Sequence, residues 1–137
     1  MDAFDADVLI YAIIRDHPMG VRIRKLFTAS DSDTVGLGSM LLVPEVLIKP
    51  TRLGAAEEVA DLRRLLGRLD LRPVNNALSE VAVELAARYA LKTVDAVHLA
   101  TAVLAGADRF ITNNRRDFTK DIVEIDVTYP DELPDSG

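Results

Sequence analysis

The sequence predicts an α/β fold in which a parallel β-sheet is covered by helices on both faces. Short apolar runs alternate with segments of helical periodicity along nearly the whole chain. Strands that alternate with helices form right-handed crossover units, and these build a three-layer α/β/α sandwich. The length of 137 residues fits one domain over 1–137 and leaves little room for a second. Residues 130–137 are expected to form a frayed acidic tail.

Five short apolar runs are the predicted strands. They span residues 3–4, 35–37, 71–74, 109–112 and 123–127. Pro73 cannot donate a hydrogen bond to a neighbouring strand, so the third strand is expected at a sheet edge.

Six segments have the spacing of amphipathic or buried helices. They span residues 8–14, 19–29, 44–49, 55–69, 78–89 and 94–105. Asp16 and Thr93 are candidate N-caps, since both side chains can accept a hydrogen bond from a first-turn amide. Pro50 is expected to stop the third helix and Gly106 to end the last.

Composition and charge limit the classes of site. The chain contains no cysteine and two histidines, which excludes disulfides, thiolate metal sites and thiol catalysis. Its net charge of −6 argues against a protein that coats nucleic acid through charge alone. The N-terminus has no basic segment, and no run approaches the roughly 20 apolar residues that span a bilayer. We therefore expect a cytoplasmic protein without a membrane segment.

Five acidic residues stand at positions that a parallel sheet would bring to one end. Asp5 and Asp7 follow the first strand, Glu45 lies on the helix after the second, and Asp117 follows the fourth. Asp95 reaches the same end if its helix presents its N-terminus there. Ligands in such sheets bind beyond the carboxyl ends of the strands.

Converging carboxylates repel one another and need either protons or a cation. Oxygen-only ligands select hard ions, so the expected cofactor is Mg²⁺ or Mn²⁺. Such ions activate water and stabilise the leaving oxygen of an in-line displacement, which makes phosphodiester hydrolysis the natural reaction.

Each acid also has a structural explanation. Asp95 and Glu45 lie in first helical turns, where the helix dipole favours a carboxylate. Asp117 suits a turn or an N-cap. Asp5 is harder to explain, because it lies in the most apolar part of the N-terminal segment, where an unpaired charge is costly. His98, one turn after Asp95, is predicted to be a hydrogen-bonded packing residue.

Three segments together resemble the four motifs of the PIN-domain family. FDADVLIYA resembles the opening strand with its acid, and SMLLVPEVL resembles the second motif, a Ser/Thr followed by Glu. LKTVDAVHLATAVLAGADRFITNNRRDF resembles the third and fourth motifs in one continuous stretch. The motifs follow the family order over nearly the whole chain.

The resemblance implies a parallel sheet of order 3-2-1-4-5 with an acidic site at the ends of its central strands. It implies Asp5, Glu45 and Asp95 as metal-site acids, with Thr112 and Ser39 as supporting hydroxyls. The chain departs from the family pattern at two positions. Asp7 stands where the family usually has Asn, and Asn114 stands where many members have the fourth acid. The fourth acid is therefore assigned to Asp117, with Asn114 as a neutral oxygen ligand. The predicted catalytic residues are Asp5, Glu45, Asp95 and Asp117, and the predicted metal ligands among them are Asp5, Asp95 and Asp117. The predicted supporting residues are Asp7, Ser39, Thr112 and Asn114.

The short chain resembles the VapC toxins within this family. The resemblance implies a metal-dependent ribonuclease that acts on RNA, forms a homodimer and is inhibited by a small VapB-like antitoxin.

Two alternatives remain at this point. Asp5-Ala6-Asp7 also matches the opening of haloacid-dehalogenase-type phosphatases, although the lysine and the late acidic motif of that family are missing. The second alternative is a catalytically inactive PIN-like binding module, which the replacement of an acid by Asn114 favours.

Overall fold

The computed structural model of the protein, in which residues 1–134 are described, contains a five-stranded parallel sheet. The strand order is β3-β2-β1-β4-β5, as the family resemblance implies. The strands are all short: β1 (Asp2–Phe4), β2 (Gly36–Ser39), β3 (Leu69–Arg72), β4 (Arg109–Ile111) and β5 (Asp126–Thr128). β3 lies at an edge of the sheet, as Pro73 predicts, although the proline itself follows the strand.

Six α-helices connect the strands. They are α1 (Ala6–Ala12), α2 (Pro18–Thr28), α3 (Leu42–Arg52), α4 (Ala56–Leu66), α5 (Asn76–Tyr89) and α6 (Thr93–Leu104). Within residues 1–134, none of the helices combines the length and the apolar character that a membrane crossing requires.

The sheet separates two hydrophobic cores, so the predicted three-layer α/β/α sandwich is confirmed. Successive side chains of a strand point to opposite faces. Ala3 and Phe110 therefore join α5 and α6 on one face, whereas Phe4 and Ile111 join α1 to α4 on the other. Both cores contain fully buried aromatic rings, and the central strands are covered on both sides.

A glycine permits the close packing of α1 against α2. A Cβ atom built on Gly20 would lie 2.1 Å from the carbonyl oxygen of Tyr11. Because no side chain fits in that space, the crossing of the two helices depends on glycine at this position. The crossing in turn fixes α1, whose N-terminus carries the first acids of the site.

Two predicted helix ends are wrong. Pro50 does not stop α3. It is buried within the helix, and the next turn closes beyond it where Leu53 N donates to Lys49 O. The fourth helix ends at Leu66 rather than at Leu69, which instead begins β3 and pairs with Gly36. Tertiary pairing overrides helical periodicity there.

Two further local predictions also differ from the structure. The N-cap of α2 is His17 rather than Asp16, since His17 Nδ1 accepts from Met19 N at 3.2 Å. The last strand begins at Asp126 and not at Val123, whose side chain is 82% exposed. Gly106 follows α6 with a φ of +68°, as expected for a residue that ends a helix.

The expectation of a frayed acidic tail is wrong for residues 130–134. Pro130–Glu132 form a 3₁₀ turn, and Leu133 is 2% exposed within the core that α1 to α4 share. The Arg22 guanidinium donates to the carbonyl oxygens of Asp131 and Leu133. The burial of Leu133 anchors this segment, and the acidic composition of the segment does not reveal it. Residues 135–137 lie outside the described part of the chain.

Candidate active site

Asp5 lies at the centre of the acidic cleft, directly after β1. Its amide donates to Ile111 O, which extends the pairing of β1 with β4 by one residue. Its carboxylate accepts from Ala6 N at 2.8 Å and from Thr112 Oγ1 at 2.7 Å. The residue is 5% exposed, and burial raises its pKa, although the two hydrogen bonds act in the opposite direction. Two donors from different elements therefore hold one buried carboxylate at the strand ends.

Asp7 extends the acidic cluster from the first turn of α1. Its Oδ2 accepts from Asn113 N at 3.0 Å, whereas its Oδ1 is buried and has no hydrogen-bond partner among residues 1–134. Burial and the nearby Asp5 raise the pKa of Asp7 to about 7. A buried carboxylate oxygen without a donor is costly, and it marks a place where a proton or a cation would be stabilised.

Glu45 and His98 approach the cleft from opposite faces of the sheet. Glu45 lies in the first turn of α3, and His98 lies on α6. His98 Nε2 is 2.6 Å from Glu45 Oε1. The sequence predicts His98 as a hydrogen-bonded packing residue, and the contact confirms its hydrogen bond. It does not predict the partner, although the three-residue spacing from Asp95 places both side chains on one helix face.

Asp95 brings a further charge to the cleft from the N-terminus of α6. Its pKa is raised by burial and then by the charges of Asp5, Asp117 and Glu45. The helix therefore does present its first turn to the strand ends, which is the condition that the sequence left open.

Asn114 and Asp117 form a hydrogen-bonded pair beside these acids. Asn114 Nδ2 donates to Asp117 Oδ2 at 3.0 Å, and Asp117 N donates to Asn114 Oδ1 at 3.3 Å. Asn114 N also donates to Thr112 Oγ1 at 3.0 Å. The loop after β4 thus places Asn114 in the acidic cleft, while Asp117 lines the adjoining cavity.

Ser39 has a backbone role in the structure. It is 1% exposed, and its Oγ accepts from Leu41 N at 3.1 Å in the turn between β2 and α3. This is the strand-end turn that a serine at this position also suggests. Ser39 therefore orients the start of α3, and with it Glu45.

The acidic side chains converge on one open cleft of about 260 Å³. It is lined by Asp5, Ala6, Asp7, Ile10, Glu45, Asp95 and Asn114. Within residues 1–134, Asp5, Glu45 and His98 are the group whose ligand atoms lie within 4.8 Å of one another. That group differs from the predicted metal set of Asp5, Asp95 and Asp117, which remains a prediction. Carboxylates at this density repel unless a cation or protons neutralise them, and their oxygens suit a hard divalent ion.

Comparison with known proteins identifies the family. The PIN domain matches over residues 3–121. Among solved structures, a toxin–antitoxin complex from Klebsiella pneumoniae superimposes with a TM-score of 0.74 at 24% identity, covering 95% of this chain and 98% of that chain. No curated protein matches. The family match spans all four motifs and the whole acidic cleft, and the chain belongs to the PIN-domain family.

Proposed function

We propose that the protein is a Mg²⁺- or Mn²⁺-dependent endoribonuclease and the toxin of a toxin–antitoxin pair. The observation that carries the proposal is the convergence of Asp5, Asp7, Glu45 and Asp95 on one cleft in a PIN domain. The charges raise one another's pKa values, so the arrangement is unfavourable without a counter-ion. The same family membership leaves the phosphatase alternative without support.

The donor set fits a hard divalent cation. Asp5, Asp95 and Asp117 are proposed to hold it, with the Asn114 amide as a neutral oxygen donor and Glu45 as a further catalytic acid of the metal site. Asp7 Oδ1, which has no hydrogen-bond partner in the described part of the chain, supplies additional negative potential. When bound, such an ion lowers the pKa of water and neutralises charge on a phosphate.

The remaining side chains keep the acids in place for that task. Thr112 fixes the orientation of Asp5 and is itself held by Asn114 N. The buried surroundings of Asp5 exclude water from one side of its carboxylate, so the open side faces the cleft. A buried acid that is held in place at the base of an open cleft suits a polymeric substrate, because such a substrate can lie across the surface.

A rim with cationic groups supports a polyanionic substrate. The cavity that Asp117 and Asp121 line also contains Arg116 and Arg88, of which Arg88 is ion-paired with Glu124, and its volume is about 590 Å³. Arginine binds phosphate through a planar set of donors. We assign the phosphodiester substrate as RNA on the strength of the VapC-like motifs.

The proposed toxin role rests on family likeness. The solved structure that resembles this chain is a toxin–antitoxin complex. We propose by analogy that the chain, folded as one domain, acts in the cytoplasm as a homodimer and that a small VapB-like antitoxin binds it.

Cleavage of a defined single-stranded RNA by the purified protein tests the nuclease proposal. We expect cleavage with Mg²⁺ or Mn²⁺, none with EDTA, and none by Asp5→Asn or Asp95→Asn. The matched control is Asp31→Asn, an exposed carboxylate in the loop before β2, at the opposite end of the sheet. Wild-type rates in the two cleft variants would contradict the assignment. Cleavage of DNA of the same sequence, with RNA left intact, would contradict RNA as the substrate.

The inactive-module alternative predicts a different result in a binding experiment. Isothermal titration of Mn²⁺ should show binding to the wild type and at least tenfold weaker binding to Asp95→Asn. Equal, negligible binding by both proteins would favour the inactive module, since no ion would then occupy the cleft.

Growth measurements test the toxin role separately. Induced expression of the wild type in bacteria should arrest growth, whereas Asp95→Asn at the same expression level should not. Light scattering after size-exclusion chromatography should give twice the monomer mass if the chain is a homodimer. Growth arrest by Asp95→Asn would separate toxicity from the nuclease site.

A further inference from the structure

His98 is a buried imidazole in contact with the acid cluster. Its side chain is 0% exposed, whereas that of Glu45 is 36% exposed. The two residues are 53 positions apart in the chain, and the tertiary fold brings α3 and α6 together at this contact. The 2.6 Å contact thus links a buried ring to a partly exposed acid.

The contact indicates where the imidazole carries its proton. A nitrogen and a carboxylate oxygen at 2.6 Å need a proton between them, and with an ionised Glu45 carboxylate that proton belongs to Nε2. His98 Nδ1 is buried and has no hydrogen-bond partner among residues 1–134. An N–H at that position would lose a hydrogen bond with water and gain none in return. The structure therefore favours the tautomer with the hydrogen on Nε2.

This tautomer limits what His98 can do at the cleft. The nitrogen that faces the acids is occupied by its proton, so it has no free lone pair for an ion. The lone pair on Nδ1 points in another direction of the ring. His98 therefore serves the site through Glu45 and not as a ligand, even though its ligand atom lies within 4.8 Å of those of Asp5 and Glu45.

We propose that His98 is the positioning residue for Glu45: its Nε2–H holds Oε1 and so fixes this carboxylate at the cleft, where it would serve a divalent ion. The inference rests on the proposed function, because it concerns the ion of that site. A glutamate has three rotatable side-chain bonds, and fixing them before the ion arrives reduces the entropy lost on binding. Groups that orient a metal ligand in this way typically contribute 10- to 100-fold to metal affinity.

Two variants separate the hydrogen bond from the bulk of the ring. His98→Gln keeps an N–H donor at about the same distance from the backbone, whereas His98→Leu fills the space without a donor. The control is Thr101→Val, which removes a buried hydroxyl of α6 that donates to Val97 O. Comparison of the three shows whether loss of any buried polar group from α6 has the same effect.

The affinity for Mn²⁺, measured without RNA, is the main readout. We expect about 10- to 100-fold weaker binding by His98→Leu, with His98→Gln and Thr101→Val within about threefold of the wild type. Equal affinity in all four proteins would overturn the proposal, as would equal loss in the Gln and Leu variants. If His98→Leu does not fold, the failure of His98→Gln to retain affinity is sufficient to overturn it.

Two measurements on the wild type need no variant. The ¹⁵N shifts of the metal-free protein should show a protonated Nε2 and an unprotonated Nδ1 for His98. Electron spin echo spectra of bound Mn²⁺ should show no directly coordinated imidazole nitrogen. A proton on Nδ1, or a coordinated nitrogen, would overturn the inference. Mn²⁺ binding without RNA cleavage would instead refute the proposed function. The Mn²⁺ affinities of the His98 variants would then still test the positioning role of His98.

Discussion

Replacing Asp7 with asparagine should stabilise the metal-free protein. The variant keeps an oxygen that can accept from Asn113 N, which lies 3.0 Å from Asp7 Oδ2. It also removes a negative charge that lies near Asp5 and that has a buried oxygen without a partner among residues 1–134. The substitution therefore relieves repulsion and desolvation while it changes the shape of the side chain very little.

The size of the effect follows from the pKa. Burial and Asp5 raise the pKa of Asp7 from its ordinary 3.8 to about 7. One pKa unit corresponds to ~1.4 kcal/mol, so the ionised Asp7 would cost the folded state at most about 4 kcal/mol. Local relaxation and solvent access reduce this figure, and we expect Asp7→Asn to gain about 1–3 kcal/mol at pH 8.

The gain should depend on pH in a definite direction. Between about pH 4 and pH 7 the folded protein keeps a proton on Asp7 that the unfolded chain has released. The wild type therefore loses stability as the pH rises through this window, whereas the Asn variant has no such loss from this site. The difference in unfolding free energy should be small near pH 4, grow up to pH 7 and stay constant above it.

Urea unfolding in EDTA at pH 5 and pH 8 measures this difference. The control Asp31→Asn, exposed in the loop before β2, should change stability by less than about 0.5 kcal/mol at either pH. An Asp7→Asn gain that is equal at the two values, or a loss of stability at pH 8, would refute the assignment of a raised pKa to Asp7.

Three further substitutions test other parts of the structure. Thr112→Val removes the hydroxyl that donates to Asp5 Oδ2 at 2.7 Å, and it should destabilise the metal-free protein by about 1–3 kcal/mol at pH 7 in urea unfolding; no change would mean that Asp5 does not depend on this donor. Leu133→Ala should cost about 2–5 kcal/mol because the leucine is 2% exposed in the core, whereas a frayed tail would give almost none in the same assay. Gly20→Ala would place a Cβ 2.1 Å from Tyr11 O, so the melting temperature of this variant should fall, even though alanine favours helices over glycine by about 1 kcal/mol. A rise in the melting temperature would refute the close packing of α1 on α2.

The layers of the fold and most of the cleft are predictable from local patterns. Apolar runs that alternate with helical periodicity indicate a parallel sheet between helices, and acids directly after strands must meet at one end of such a sheet. Asp5, Asp7, Glu45 and Asp95 could be identified in this way, because the direction of a strand or helix determines where its end lies. The strand order came from the family motifs and not from periodicity.

Element ends and the C-terminal segment were less predictable. Pro50 and Leu69 have local preferences that the packing overrides, since burial and pairing with another strand contribute more than single-residue propensities. The burial of Leu133 could not be predicted from the sequence either, because a single apolar residue in an acidic segment carries no periodic signal.

The amino-acid sequence by itself determined the kind of fold and the acidic character of the cleft, and it predicts a hard cation as the ion that such oxygens favour. Only the tertiary structure decided that His98 binds Glu45 and that Asp7 keeps one buried oxygen without a donor among residues 1–134. Periodicity reports which face of an element is buried. It does not report which side chains from distant elements meet there, because those contacts depend on how the helices pack across the sheet.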